Sequence, residues 1–154
     1  MASDYVMYLS IVLVGSLAIA GISVTMVGMN DSIEDRAIKT NLEHILNKIS
    51  ESIHTLKSSA YQQIELGASN LQIHILLELP PSIKTHEYLI EVTQDNTTQY
   101  LTATSLEDPN LSVSLNLLIS PDEITITGEI ESTGSSPVII FRYLAGQKSI
   151  TLES

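Results

Sequence analysis

Four histidines and 18 acids are the residues of this chain best suited to acid–base or metal chemistry. Their spacing argues against both. His44 and His54 are ten residues apart, not the i, i+4 of a helical metal pair. His74 and His86 fall on separate predicted strands, so each histidine reads as satisfied or solvated. No H-E-x-x-H, P-loop, G-x-S-x-G or dinucleotide fingerprint occurs. Glu34, Asp35, Glu43 and Glu51 read as the wet face of a helix. The chain has no cysteine, which excludes disulfides, thiolate metal sites and thiol catalysis. The residues therefore predict no catalytic site, no bound metal and no cofactor. Modification remains. Asn30-Asp31-Ser32, Asn96-Thr97-Thr98 and Asn110-Leu111-Ser112 are N-x-[ST] sequons, acceptors for N-linked glycans in an exported protein. Asn96 and Asn110 fall in predicted turns, whereas Asn30 borders an apolar run.

That run is the dominant feature of the sequence. The 26 residues from Tyr5 to Asn30 carry no formal charge, and ~20 apolar residues suffice to cross a bilayer as a helix. Small residues recur in it, among them Gly15, Ser16, Ala18, Ala20 and Gly21, and such positions let helices approach closely. Ala18-Ile19-Ala20 fits a signal-cleavage pattern, but the run exceeds an ordinary h-region and no basic residue precedes it. The run reads instead as an anchor or as a chain whose basic leader has gone.

The elements beyond it follow from periodicity. From Ser32 to Ser58 there is neither Gly nor Pro. Ile38, Leu42, Ile45, Ile49 and Leu56 recur in steps of four and three, with Ser52 in the missing place, which predicts an amphipathic helix. Asp31 followed by Glu34 resembles a capping pair, so a bend is expected between Gly28 and Asp31. After Ser58 the period becomes two. Strands are predicted over Leu71–Leu79, Tyr88–Val92, Tyr100–Thr104, Leu111–Leu117, Ile124–Ile130, Val138–Leu144 and Ser149–Leu152, separated by turn signals. The expected fold is α+β: a long N-terminal helix, apolar then amphipathic, followed by an antiparallel β-sandwich head of about seven strands. The boundaries are an apolar helix over 1–30, an amphipathic helix packing on the head over 31–58, and the head over 59–154.

Net charge is −11, and every base and all acids but Asp4 lie beyond residue 30. That acidity, with no polybasic patch, one Phe and no Trp, argues against nucleic acid as a partner.

This layout resembles type IV pilin-like proteins, and archaeal pilins and archaellins more than bacterial ones. The segment Leu77-Glu78-Leu79-Pro80-Pro81-Ser82-Ile83 with Tyr88-Leu89-Ile90 is similar to one in archaeal flagellin-like proteins, and so is the tail from Gly128 to Leu152 with Gly134-Ser135-Ser136 before a final hairpin. The resemblance implies that a peptidase removes a short basic leader and that the helices then bundle in a filament core with the heads outside. Bacterial pilins carry Glu at the fifth mature position; here it is Tyr5, and the resemblance leaves Asp4 to pair with the Met1 amine. The expected function is a structural subunit of an extracellular pilus-like filament, a homo-oligomer held in the membrane before assembly and carrying glycans. Polymerisation would bury Tyr5, Val12, Gly15, Leu17, Ala18, Gly21, Val24 and Gly28. Two alternatives stay open: an archaellum (motility) subunit, and a monomeric membrane-anchored surface protein such as an archaellum stator component.

Overall fold

The structure is a computed structural model. It describes the backbone of residues 2–95 and 97–154, and the side chains of all of these except 2–9, 11, 24, 25, 27, 28, 30 and 31. One helix, α1 (Ala2–Glu65), precedes seven strands: β1 (Asn70–Leu76), β2 (Tyr88–Gln94), β3 (Gln99–Ser105), β4 (Ser112–Asn116), β5 (Thr125–Glu131), β6 (Val138–Leu144) and β7 (Gln147–Glu153). The chain forms two compact units, Met1–Ala37 and Ile38–Ser154.

In the second unit the stripe of four-and-three steps becomes the core. Leu42, Leu46, Ile49, Ile53 and Ala60 are fully buried, and Ile38 and Leu56 nearly so. Ser52, at the missing place in the stripe, turns its hydroxyl onto the Lys48 carbonyl at 2.9 Å. The helix continues about two turns past the expected Ser58, to Glu65, because Ala60, Tyr61 and Ile64 still face the core. It stops at Gly67 (φ 97°). There Ala68 N donates to Gln63 O and Gly67 N to Ile64 O, which satisfies the last carbonyls in a Schellman arrangement.

The sheet corrects the expected antiparallel sandwich. All seven strands form one mixed sheet in the order β1-β6-β7-β5-β2-β3-β4, with β5 and β7 parallel. The physical reason is that the helix supplies the second layer: residues 38–60 share one apolar cluster with Ile90, Leu101, Ile126, Ile139, Phe141 and Ile150. A sheet covered on one face by a helix needs no second sheet. β5 serves two neighbours. Thr125–Gly128 pairs with β7, and Glu129–Glu131 pairs with β2. The change of partner falls at Gly128 (φ 105°), where a Cβ would lie 2.1 Å from the Leu152 carbonyl oxygen. The final hairpin closes through Ala145 and Gly146, both at positive φ, as a two-residue turn demands.

The expected apolar helix of membrane length is corrected as well. Among the described residues no helix is long and apolar enough to cross a membrane. The bend expected between Gly28 and Asp31 falls among residues with undescribed side chains.

Candidate interaction surface

The groups suited to chemistry are scattered or tied into structure. His44 and His54 are exposed on α1. His74 Nε2 lies 3.0 Å from Gln72 Nε2 on β1. Among the described residues no group of three or more His, Asp or Glu side chains is placed to hold a metal.

One constellation was not visible in the sequence, because its parts sit on the segment before β2, the last residue of β3 and the loop after it. His86 Nδ1 is 3.1 Å from Ser105 Oγ and 3.6 Å from Glu107 Oε2, and Ser105 Oγ donates to Glu107 Oε2 at 3.2 Å. A nucleophilic relay needs serine and carboxylate on opposite imidazole nitrogens. Here both face Nδ1. Ser105 is also buried, and its oxygen accepts from Asp108 N at 3.3 Å. The Glu87 backbone N–H, first among several donors, holds the Glu107 carboxyl below its ordinary range. The cluster fastens the residues before β2 to those after β3. It does not aim a nucleophile outward.

A second constellation fastens α1 to the sheet. Lys57 Nζ is 2.8 Å from Glu123 Oε1, the Tyr61 hydroxyl donates to the same oxygen at 2.9 Å, and Lys148 Nζ lies 4.0 Å above the Tyr61 ring. Only the i, i+4 spacing of Lys57 and Tyr61 hinted at it in the sequence.

The feature that stands without an internal explanation is on the first unit. Val12, Leu17 and Ile22 are 56%, 65% and 60% exposed, and Leu13, Val14, Ile19, Met26, Met29 and Ile33 are exposed too. These positions fall all around a helix, not on one face. Ala18 is exposed among them. A Cβ added at Gly15 or Gly21 would meet nothing within 4 Å. Ser16 Oγ donates to the Leu13 carbonyl and Ser23 Oγ to the Ile19 carbonyl, both at 2.9 Å. The hydroxyls are thus bonded to their own helix, and the surface they share is apolar in effect. Exposed apolar surface on this scale marks a contact face.

Of the sequence-derived candidates, Val12, Gly15, Leu17, Ala18 and Gly21 share this surface. Tyr5, Val24, Gly28, Asp4 and Asn30 have side chains outside the described residues, as Met1 and Asn96 lie outside them altogether. Asn110 is exposed in the turn before β4, and its amide nitrogen donates to Asp108 Oδ1 at 2.9 Å.

Residues 2–153 match a family of unknown function, DUF7266. No curated protein and no solved structure matches the chain.

Proposed function

We propose that the chain, which belongs to the DUF7266 family of unknown function, is a structural subunit of an extracellular type IV pilus-like filament and has no enzymatic role. It polymerises with identical copies through the N-terminal part of α1. Before assembly the same apolar surface holds it at the membrane. The observation that carries this reading is the exposure of Val12, Leu17 and Ile22 on all sides of a helix, while the second unit gathers most of its apolar residues, from Ile38 to Leu152, into one buried core. Withdrawing such surface from water contributes ~25 cal/mol per Å²; from lipid the gain is smaller, and close packing of helices must contribute more. A single flat partner would cover one face; a bundle of like helices covers all of them. Gly15, Ala18 and Gly21 let neighbouring backbones approach. The hydroxyls of Ser16 and Ser23, tied back to their own helix, bring no unsatisfied donor of their own to the contact.

Electron microscopy of material sheared from expressing cells tests the reading, with fibres built from this chain as the expected result. Gly21→Leu puts a bulky side chain where copies must meet, so fibres become fewer or shorter. Extraction of the chain by detergent as a monomer, with no fibres in sheared material, would overturn the proposal in favour of an anchored surface protein. Deletion distinguishes the two filament types: loss of swimming marks an archaellum subunit, and retained swimming marks a pilus.

A further inference from the structure

The sheet has two edges, β1 and β4, and their chemistry is unusual for a chain of net charge −11. Neither strand contains Asp, Glu, Lys, Arg or Pro. Edges are normally guarded by such residues, because an unpaired strand is a template for another chain. The core is also open at both edges. Ile73 and Val113 are only half-buried, whereas Ile90 and Ile139 on inner strands are fully buried.

The two edges match in three respects. The first is direction. The pairings along the sheet are antiparallel except β7 with β5, so β1 and β4 run in opposite senses. A second copy in the same orientation therefore brings its β1 antiparallel to β4 of the first. The second is hydrogen-bonding phase. Leu77 N donates to Pro137 O, so in β1 the backbone groups of Gln72 and His74 turn outward. Ser105 N donates to Leu111 O and Leu117 N to Gln99 O, so in β4 those of Ser112 and Ser114 turn outward. The third is facing. On both strands the residues whose backbone turns outward carry exposed side chains, and those between them lie against the core. Directly opposite residues of a ladder must share a face, and these do.

We propose that β4 of one copy pairs antiparallel with β1 of the next, Ser114 opposite Gln72 and Val113 opposite Ile73, so that the heads join into a continuous sheet. The occupant of each edge is the other edge of an identical chain. The acidic surface favours this choice, since the uncharged edges let two acidic heads approach without setting carboxylates against each other. The contact joins two different patches and repeats without closing on itself, as an open array requires. The proposal rests on the filament reading only in that copies lie side by side in one orientation.

The chain has no cysteine, which makes disulfide mapping clean. Full-length Gln72→Cys and Ser114→Cys variants are mixed in equal amounts under mild oxidation and run on a non-reducing gel. Directly paired Cα atoms about 5.5 Å apart suit a disulfide. The expected result is about tenfold more mixed dimer than either variant forms alone. Ser112→Pro, added to the Ser114→Cys chain, removes only an outward N–H; it should abolish the mixed dimer while the melting curve holds. Arg142→Cys, on the inner strand β6, should remain uncross-linked. Equal cross-linking by each single variant, or none by the mixture, overturns the proposal. Fibres without mixed dimers would leave the filament reading standing and remove edge pairing; mixed dimers without fibres would do the reverse.

Discussion

Gln99 is fully buried at the start of β3, and its side-chain amide is used on both sides. Nε2 donates to the carbonyls of Ile119 and Ile124 at 3.2 and 2.9 Å, and Oε1 accepts from Ile126 N at 2.7 Å. One side chain thus holds the loop before β5 against the β2–β3 turn. Gln99→Leu keeps the volume but leaves a buried N–H and two carbonyls without partners. Each such loss costs about 1–3 kcal/mol, so urea unfolding should show a drop of about 3 kcal/mol or more. A change below about 0.5 kcal/mol would mean that water replaces the amide. None of this was legible in the sequence. A glutamine between a turn and a strand looks like any exposed polar residue, and its role depends on a loop that lies 20 and 25 residues further on. The same holds for Ser105, whose partners come from two loops.

At the scale of elements, the two periodicities carried different amounts of information. The four-and-three steps from Ile38 to Leu56 mark the buried stripe of α1 because a helix fixes which residues share a face. The alternation in the strands marks which residues point inward. It does not say which strand lies beside which, since partners are chosen through backbone groups common to every residue. That is why one mixed sheet with a helical second layer looked like a sandwich. Gly128 is where the choice is made, and it gives a sharp test. Gly128→Ala must carry a Cβ at positive φ against the Leu152 carbonyl. The expected loss is about 2 kcal/mol or more, read as a lower urea midpoint. An unchanged midpoint would show that β5 can change partners without this contact.

The tie between α1 and the sheet gives an element-scale pH dependence. The Lys57 ammonium, and then the Tyr61 hydroxyl, hold the Glu123 carboxyl below its ordinary value of 4.5. A carboxyl depressed in the folded state stabilises fully above its unfolded value and loses that contribution as pH falls through the folded one. Glu123→Gln should therefore melt below the unsubstituted chain at pH 7, and the gap should shrink as pH drops below about 4.5. Comparing the two chains at each pH removes the general effect of protonating an acidic surface. A gap that stays constant to pH 3 would show that the carboxylate charge contributes nothing to the tie.

At the scale of the whole molecule, the forces for and against assembly sit on different parts of the sequence. The uncharged run from Tyr5 to Asn30 favours association, and the excess acid beyond it opposes the close approach of copies. The two respond oppositely to salt. Repulsion between exposed charges extends over ~10 Å at 0.1 M salt and only ~3 Å at 1 M. Apolar burial is not weakened by salt and is strengthened by sulfate. If identical acidic heads come together as proposed, assembly should speed up from 0.05 to 0.5 M sodium chloride, as read by light scattering and by the sedimented fraction. Approaching the sequence pI of about 4.5 should have the same effect by removing charge. With 18 acids against seven bases, carboxylates outnumber the cations that could bridge copies. Assembly that slows with salt would mean that oppositely charged patches hold the copies together, and the apolar helix would no longer be the principal source of cohesion.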